Sequence, residues 1–120
     1  MNNAEQLAAF IKVRKLIKRG WIKDISAINW LGNPCFPTDF FARKFCLFGA
    51  CERVVKGDNV KRKVITDFLN MSIYEQYGVD FGVVAFNDHM YVTKENVLNL
   101  LNMVIDKQKK LLSETSNKAL

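Results

Sequence analysis

Along the first twenty positions apolar residues return at Leu7, Phe10, Ile11, Val13 and Ile17. This is close to the i, i+3, i+4, i+7 rhythm of one helix face, and it predicts a helix over residues 4–19. Lys12, Arg14, Lys15, Lys18 and Arg19 load its C-terminal half, where cations complement the helix dipole, and Gly20 is expected to supply a left-handed stop. From Trp21 to Trp30 the rhythm changes to an imperfect alternation, closed by the turn signal Gly32-Asn33-Pro34. A short hairpin within residues 21–36 is predicted. Pro37-Thr38-Asp39 then opens a second helix, with Thr38 as its expected cap and Gly57 as its stop. Between them Phe40, Phe41, Phe45, Cys46, Leu47, Phe48, Ala50, Cys51, Val54 and Val55 cover far more than one stripe. A helix apolar on most of its surface belongs at the centre of a domain. Gly49 inside it costs about 1 kcal/mol relative to Ala, which is best explained by another backbone passing close by.

Asp58 is placed to cap a third helix reaching about Asn70, with Val60, Val64, Ile65, Phe68 and Leu69 inward. Ser72-Ile73-Tyr74-Glu75 has the Ser-x-x-Glu form of a capping box and predicts a break, followed by a short turn ending at Gly78. Val79 to Phe86, rich in Val and Phe, is expected to be a short strand or an extended buried link. Asn87-Asp88 is a turn pair. Thr93 caps a final helix with Val97, Leu98, Leu101, Val104, Ile105 and Leu112 inward, and residues 113–120 form a fraying tail. The fold class that follows is α+β and mainly helical. About four helices surround a central apolar helix, with a two-stranded hairpin, in one domain over residues 1–112.

A chain of 120 residues can bury a core without staples, and 49% apolar residues with nine Phe make it globular. No apolar run approaches the roughly 18 residues needed to cross a bilayer. Met1-Asn2-Asn3-Ala4-Glu5 does not open a secretory signal. Cys35, Cys46 and Cys51 are odd in number and sit among apolar neighbours, as reduced thiols in a cytoplasmic protein do. The net charge of +6 is unevenly placed: residues 1–63 carry 13 Lys/Arg against 5 Asp/Glu, residues 64–120 carry 5 against 7. One basic face is therefore expected, suited to an acidic protein surface or to nucleic acid, with simple solvation as the bland alternative.

Four functional readings compete with purely structural roles. Cys46 and His89, the single His, are a candidate nucleophile and base for a thiol hydrolase. Cys46 lies between Phe45 and Leu47, where burial raises a thiol pKa, so a packed Cys and a surface His is the stronger expectation. Metal binding is not expected: Cys46 and Cys51 are five apart and lack the Cys-x-x-Cys spacing that zinc favours. Asn87 and Asp88 are either a polar pair at a pocket mouth or a turn whose side chains bond nearby backbone, the latter being favoured. Nucleic-acid binding draws on the N-terminal cations and on Arg43, Lys44, Lys61, Arg62 and Lys63, yet no recognition helix, zinc finger or RNA-binding signature is present.

Gly20-Trp21, Phe45-Cys46, Gly49-Ala50, Arg53, Phe86-Asn87-Asp88 and the run from Thr93 through Val97-Leu98 form a spaced set over most of residues 20–105. The set resembles the signature of a family of small bacterial and phage domains of unknown function, the 6197 family, with Phe45 and Phe86 where Trp is typical. That resemblance implies a fold pattern and no activity. The expectation is a non-enzymatic protein-interaction module without cofactor, fitting a phage accessory protein that inhibits a host defence system. Its contact residues are expected to be Lys15, Lys18, Arg19 and Lys23 with Trp21 and Trp30, because Trp and Arg dominate binding hot spots. Its expected partner is an acidic protein surface, with nucleic acid as the alternative, no membrane, and an open oligomeric state.

Overall fold

The first helix forms where its apolar rhythm puts it. In the computed structural model, which describes the backbone of residues 1–119 and the side chains of residues 1–115, α1 spans Asn3–Arg19. Its start is a capping box: the Asn2 side chain accepts from Glu5 N at 2.8 Å, satisfying one of the free N–H groups of the first turn. Ala9, Phe10, Val13 and Ile17 are buried, mainly against the long final helix α5, Lys94–Ala119. Gly20 ends α1 in an extended conformation, φ −173°, and not in the expected left-handed stop. What requires glycine there is proximity: an added Cβ would lie 2.8 Å from Arg43 O.

The hairpin is present, but its second strand lies further along the chain than the sequence suggests. Strand β1, Ala27–Asn29, pairs antiparallel with β2, Ala42–Phe45, setting Ala27 opposite Phe45. Pro34 and Pro37 have no N–H to give to a ladder, so the paired segment is displaced beyond them and residues 30–41 become the connection. The second helix is shortened in consequence. Instead of opening at Pro37-Thr38, α2 spans Leu47–Val54 with Cys46 as its N-cap, so Cys46 is not mid-helix and Phe40 and Phe41 are not in the core. Its central position is as anticipated, since α2 packs on α1, α3 (Asn59–Tyr77) and α4 (Gly82–Asp88). So is the reason for Gly49. A Cβ at that position would fall 2.0 Å from the carbonyl oxygen of Ser26, the residue just before β1.

No break occurs at Ser72. Ile65, Leu69 and Ile73 are buried at i, i+4, i+8, so one continuous face holds α3 intact to Tyr77, and Gly78 (φ +69°) supplies the left-handed cap. Asp58 caps the helix as expected, accepting from Val60 N and Lys61 N. The segment expected as a strand near residues 79–86 is helical from Gly82. Val83, Phe86 and Asn87 face the core at helical spacing while Val84 is exposed, so packing overrides the strand preference of Val and Phe. Thr93 precedes α5 and its hydroxyl accepts from Asn96 N at 3.3 Å. The helix then runs through Ala119, past the boundary set at residue 112, and Leu120 lies outside the described residues. The molecule is thus mainly helical α+β, with five helices and a two-stranded hairpin around one core among the described residues.

Candidate functional site

Asn87 brings the widely spaced motif residues together. Its side chain is fully buried and uses its whole hydrogen-bonding capacity. Oδ1 accepts from Trp21 Nε1 at 2.7 Å and from Leu47 N at 2.9 Å. Nδ2 donates to Ile22 O at 3.1 Å and to Asp88 Oδ1 at 2.9 Å. Asp88 in turn accepts from Asp24 N at 2.9 Å, holding the one turn residue beside it at φ +69°. Trp21-Ile22, the start of α2 and the end of α4 are therefore tied at a single point. Asn87 and Asp88 act as a clasp between segments distant in sequence, not as a local turn pair, and no hydrogen-bonding group of Asn87 is left for a ligand.

Cys46 caps α2: its Sγ accepts from Gly49 N at 3.2 Å. Burial pushes the thiol up, against the lowering effect of the helix N-H groups, and the nearby Asp88 carboxylate adds to the rise. His89 is exposed at the end of α4, its ring stacked 6.1 Å from Phe81 and its Nδ1 accepting from Tyr91 N. No hydrogen bond joins Cys46 to His89 among the described residues. Cys51 is fully buried, and burial raises its thiol far above the ordinary range. Among the described residues no group of three or more His, Cys, Asp or Glu is placed to hold a metal ion, and no helix is long and apolar enough to cross a membrane.

The cations singled out from the sequence do not share one patch. Arg14 donates to Asn102 of α5 at 2.9 Å, and Lys18, one turn on, lies on the same flank, where Lys94 Nζ meets the Lys18 carbonyl. Arg19 lies on the other flank, in a groove with Leu16, Arg43, Lys44 and Arg53. Lys15 is exposed between the two flanks. Lys23 Nζ donates to His89 O at 2.7 Å and sits 5.6 Å over the Trp21 ring, whose indole N–H is committed to Asn87. Trp21 is half-buried; Trp30 is 62% exposed.

Trp30 belongs to the feature that the sequence did not reveal. In the 30–41 connection Leu31, Phe36, Phe40 and Phe41 are also exposed, Phe36 at 80%. The backbone beneath them is nevertheless held throughout. Asn29 Oδ1 accepts from Leu31 N and Asn33 N, both at 3.0 Å, and Trp30 N donates to Phe41 O at 3.2 Å. Asp39 accepts from Phe41 N at 2.8 Å, and Arg53 reaches from α2 to the carbonyls of Pro37 and Asp39. A cleft of about 780 Å³ opens at the base, lined by Ile25, Pro34, Cys35, Phe36 and Pro37 with Asp39 and Glu52 on its polar side. The signal in the sequence was Pro34-Cys35-Phe36-Pro37: two prolines so close bar a regular element, and the Phe residues after them then have no buried face to join. No protein-family profile matches the chain, and no curated protein and no solved structure resembles it closely enough to count as a match.

Proposed function

We propose that this protein is a non-enzymatic interaction module that docks an acidic protein partner through the 30–41 loop and the cations around it. The observation that carries the reading is the combination of exposed side chains on a fixed backbone. Trp30, Leu31, Phe36, Phe40 and Phe41 lie outside the core, while Asn29, Asp39 and Arg53 hold the loop that presents them. A clustered apolar surface marks a contact site, and presenting it from a preordered loop lowers the entropy lost on binding. Trp30 is of a residue type that dominates hot spots. Lys15, Lys18 and Lys23 extend the positive field over which an acidic partner is steered. A thiol hydrolase is the weaker reading, because the Cys46 sulfur is engaged in capping α2 and its proton is held tightly. Membership of the 6197 family, and a role as a phage accessory protein acting on a host defence system, belong to the same proposal.

The test is capture of partners from a lysate of the source cells, with and without nuclease, by the wild-type protein and by the Trp30→Ser/Phe36→Ser variant. A protein retained after nuclease by the wild type and lost by the variant is the expected result. Equal capture by both, or loss of everything on nuclease treatment, overturns it.

A further inference from the structure

A basic seam made of two depressions runs along one flank of α1, and its lining is unlike that of the 30–41 loop. Lys12, Leu16 and Arg19 follow one another at i, i+4, i+7 on that flank, opposite the end of α2. At the upper end a depression of about 320 Å³ is lined by Lys12, Lys56 and Lys61 over Ala9, Val54 and Val55. At the lower end a groove of about 350 Å³ is lined by Arg19, Arg43 and Arg53 over Leu16, Ala42 and Phe45. The two depressions are separate, and Lys12, Leu16 and Arg19 set them one after the other along the same flank of α1. The acidic side chain in the seam is Glu5, and it is engaged with the Asn2 backbone in the cap of α1.

We infer that this seam receives an extended acidic segment of the protein partner, one whose carboxylates are interspersed with apolar side chains. The inference rests on the interaction reading above and names what the partner must present. Charge complementarity selects an anionic occupant: Lys12 and Arg19 of α1, Arg43 of β2, Arg53 of α2, and Lys56 and Lys61 beyond it line the two depressions, and among those lining residues the acidic one is Glu5. The apolar strip between the cations selects a polypeptide over nucleic acid. A sugar-phosphate backbone carries charge at every nucleotide, and tracking of single strands uses exposed aromatic rings in the groove. The ring that lines this seam, Phe45, is buried; the exposed rings lie on the loop beyond its end. Arg19 and Arg43 are exposed to a carboxylate in the groove, and Arg43 NH1 donates to its neighbour's carbonyl, Ala42 O, at 3.2 Å.

The experiment uses fluorescence anisotropy of a labelled peptide of alternating Glu and Leu, and of a labelled oligo-dT strand of equal charge, at about 0.15 M ionic strength. Arg19→Ala/Arg43→Ala is expected to weaken peptide binding about tenfold or more, whereas Lys109→Ala/Lys110→Ala, which removes the same charge from exposed positions of α5 outside the seam, changes it no more than about twofold. Equal losses in the two variants, or absence of peptide binding, overturn the inference. So does tighter binding of oligo-dT that is lost in the Arg19/Arg43 variant. Partner capture that depends on Trp30 and Phe36 but survives Arg19→Ala/Arg43→Ala refutes the seam alone and leaves the loop reading standing.

Discussion

Asn87 carries more separate hydrogen bonds than any other polar side chain among the described residues. Its replacement by Ala leaves the Trp21 and Leu47 N–H groups and the Ile22 carbonyl without their partner in a buried setting. Unmade bonds of this kind cost about 1–3 kcal/mol each, so Asn87→Ala is expected to lose about 3–5 kcal/mol in urea denaturation. Cys46 carries the opposite expectation. Its sulfur caps α2 through Gly49 N, a task a hydroxyl does at least as well. Cys46→Ser should therefore stay within about 1 kcal/mol of wild type, while Cys46→Ala should lose about 0.5–2 kcal/mol, both read from the denaturation midpoint. From the sequence alone a buried Ser at this position looks costly. The cap geometry removes most of that cost, because a hydroxyl there has Gly49 N as its donor.

Among the elements, α2 is the one whose position depends most on close approach. Replacing Gly49 by Ala improves intrinsic helix propensity by about 1 kcal/mol but sets a methyl group against the Ser26 carbonyl, where there is no room. Forced overpacking costs about 1–3 kcal/mol, and here the obstacle is backbone, so Gly49→Ala should lower the melting temperature in spite of the better helix former. The 30–41 loop behaves differently. Its order comes from hydrogen bonds to Asn29, Asp39 and Arg53, not from burial of its side chains. The aromatic residues that its tip exposes are thus free to be selected for a partner, and Ser at positions 30 and 36 should leave the fold intact.

For the whole molecule, the buried thiols make stability sensitive to alkaline pH. Burial raises the pKa of both Cys46 and Cys51 above that of a free thiol, about 8.5. In the window above that value the unfolded chain loses thiol protons that the native protein still holds, so the native state binds more protons and stability falls as pH rises. The limit is about 1.4 kcal/mol per pH unit for each thiol, and it disappears below the unfolded pKa, where both states are protonated. Urea midpoints between pH 8 and 10 should decline. Cys46→Ser should make the decline shallower by the share of that one thiol.

Much of the helical frame was determined by the sequence itself. α1 and α5 follow from apolar periodicity, and the starts at Asp58 and Thr93 and the stop at Gly78 follow from capping chemistry, all interactions within a few residues. Even the reason for Gly49 was legible, because an interior glycine needs a neighbour to justify it. The tertiary structure decided the rest. Whether Phe40 and Phe41 lie in a helix or on a loop depends on which segment pairs with β1, and strand pairing is not encoded in local rhythm. Residues 82–88 became helical because their buried face fits α2 and α3, against the preference of Val and Phe. Trp21 and Asn87 are 66 residues apart, and only the packed core brings the indole N–H to its acceptor. The division follows range: local sequence sets caps and periodic faces, whereas the clasp, the exposed loop and the basic seam arise where distant segments meet.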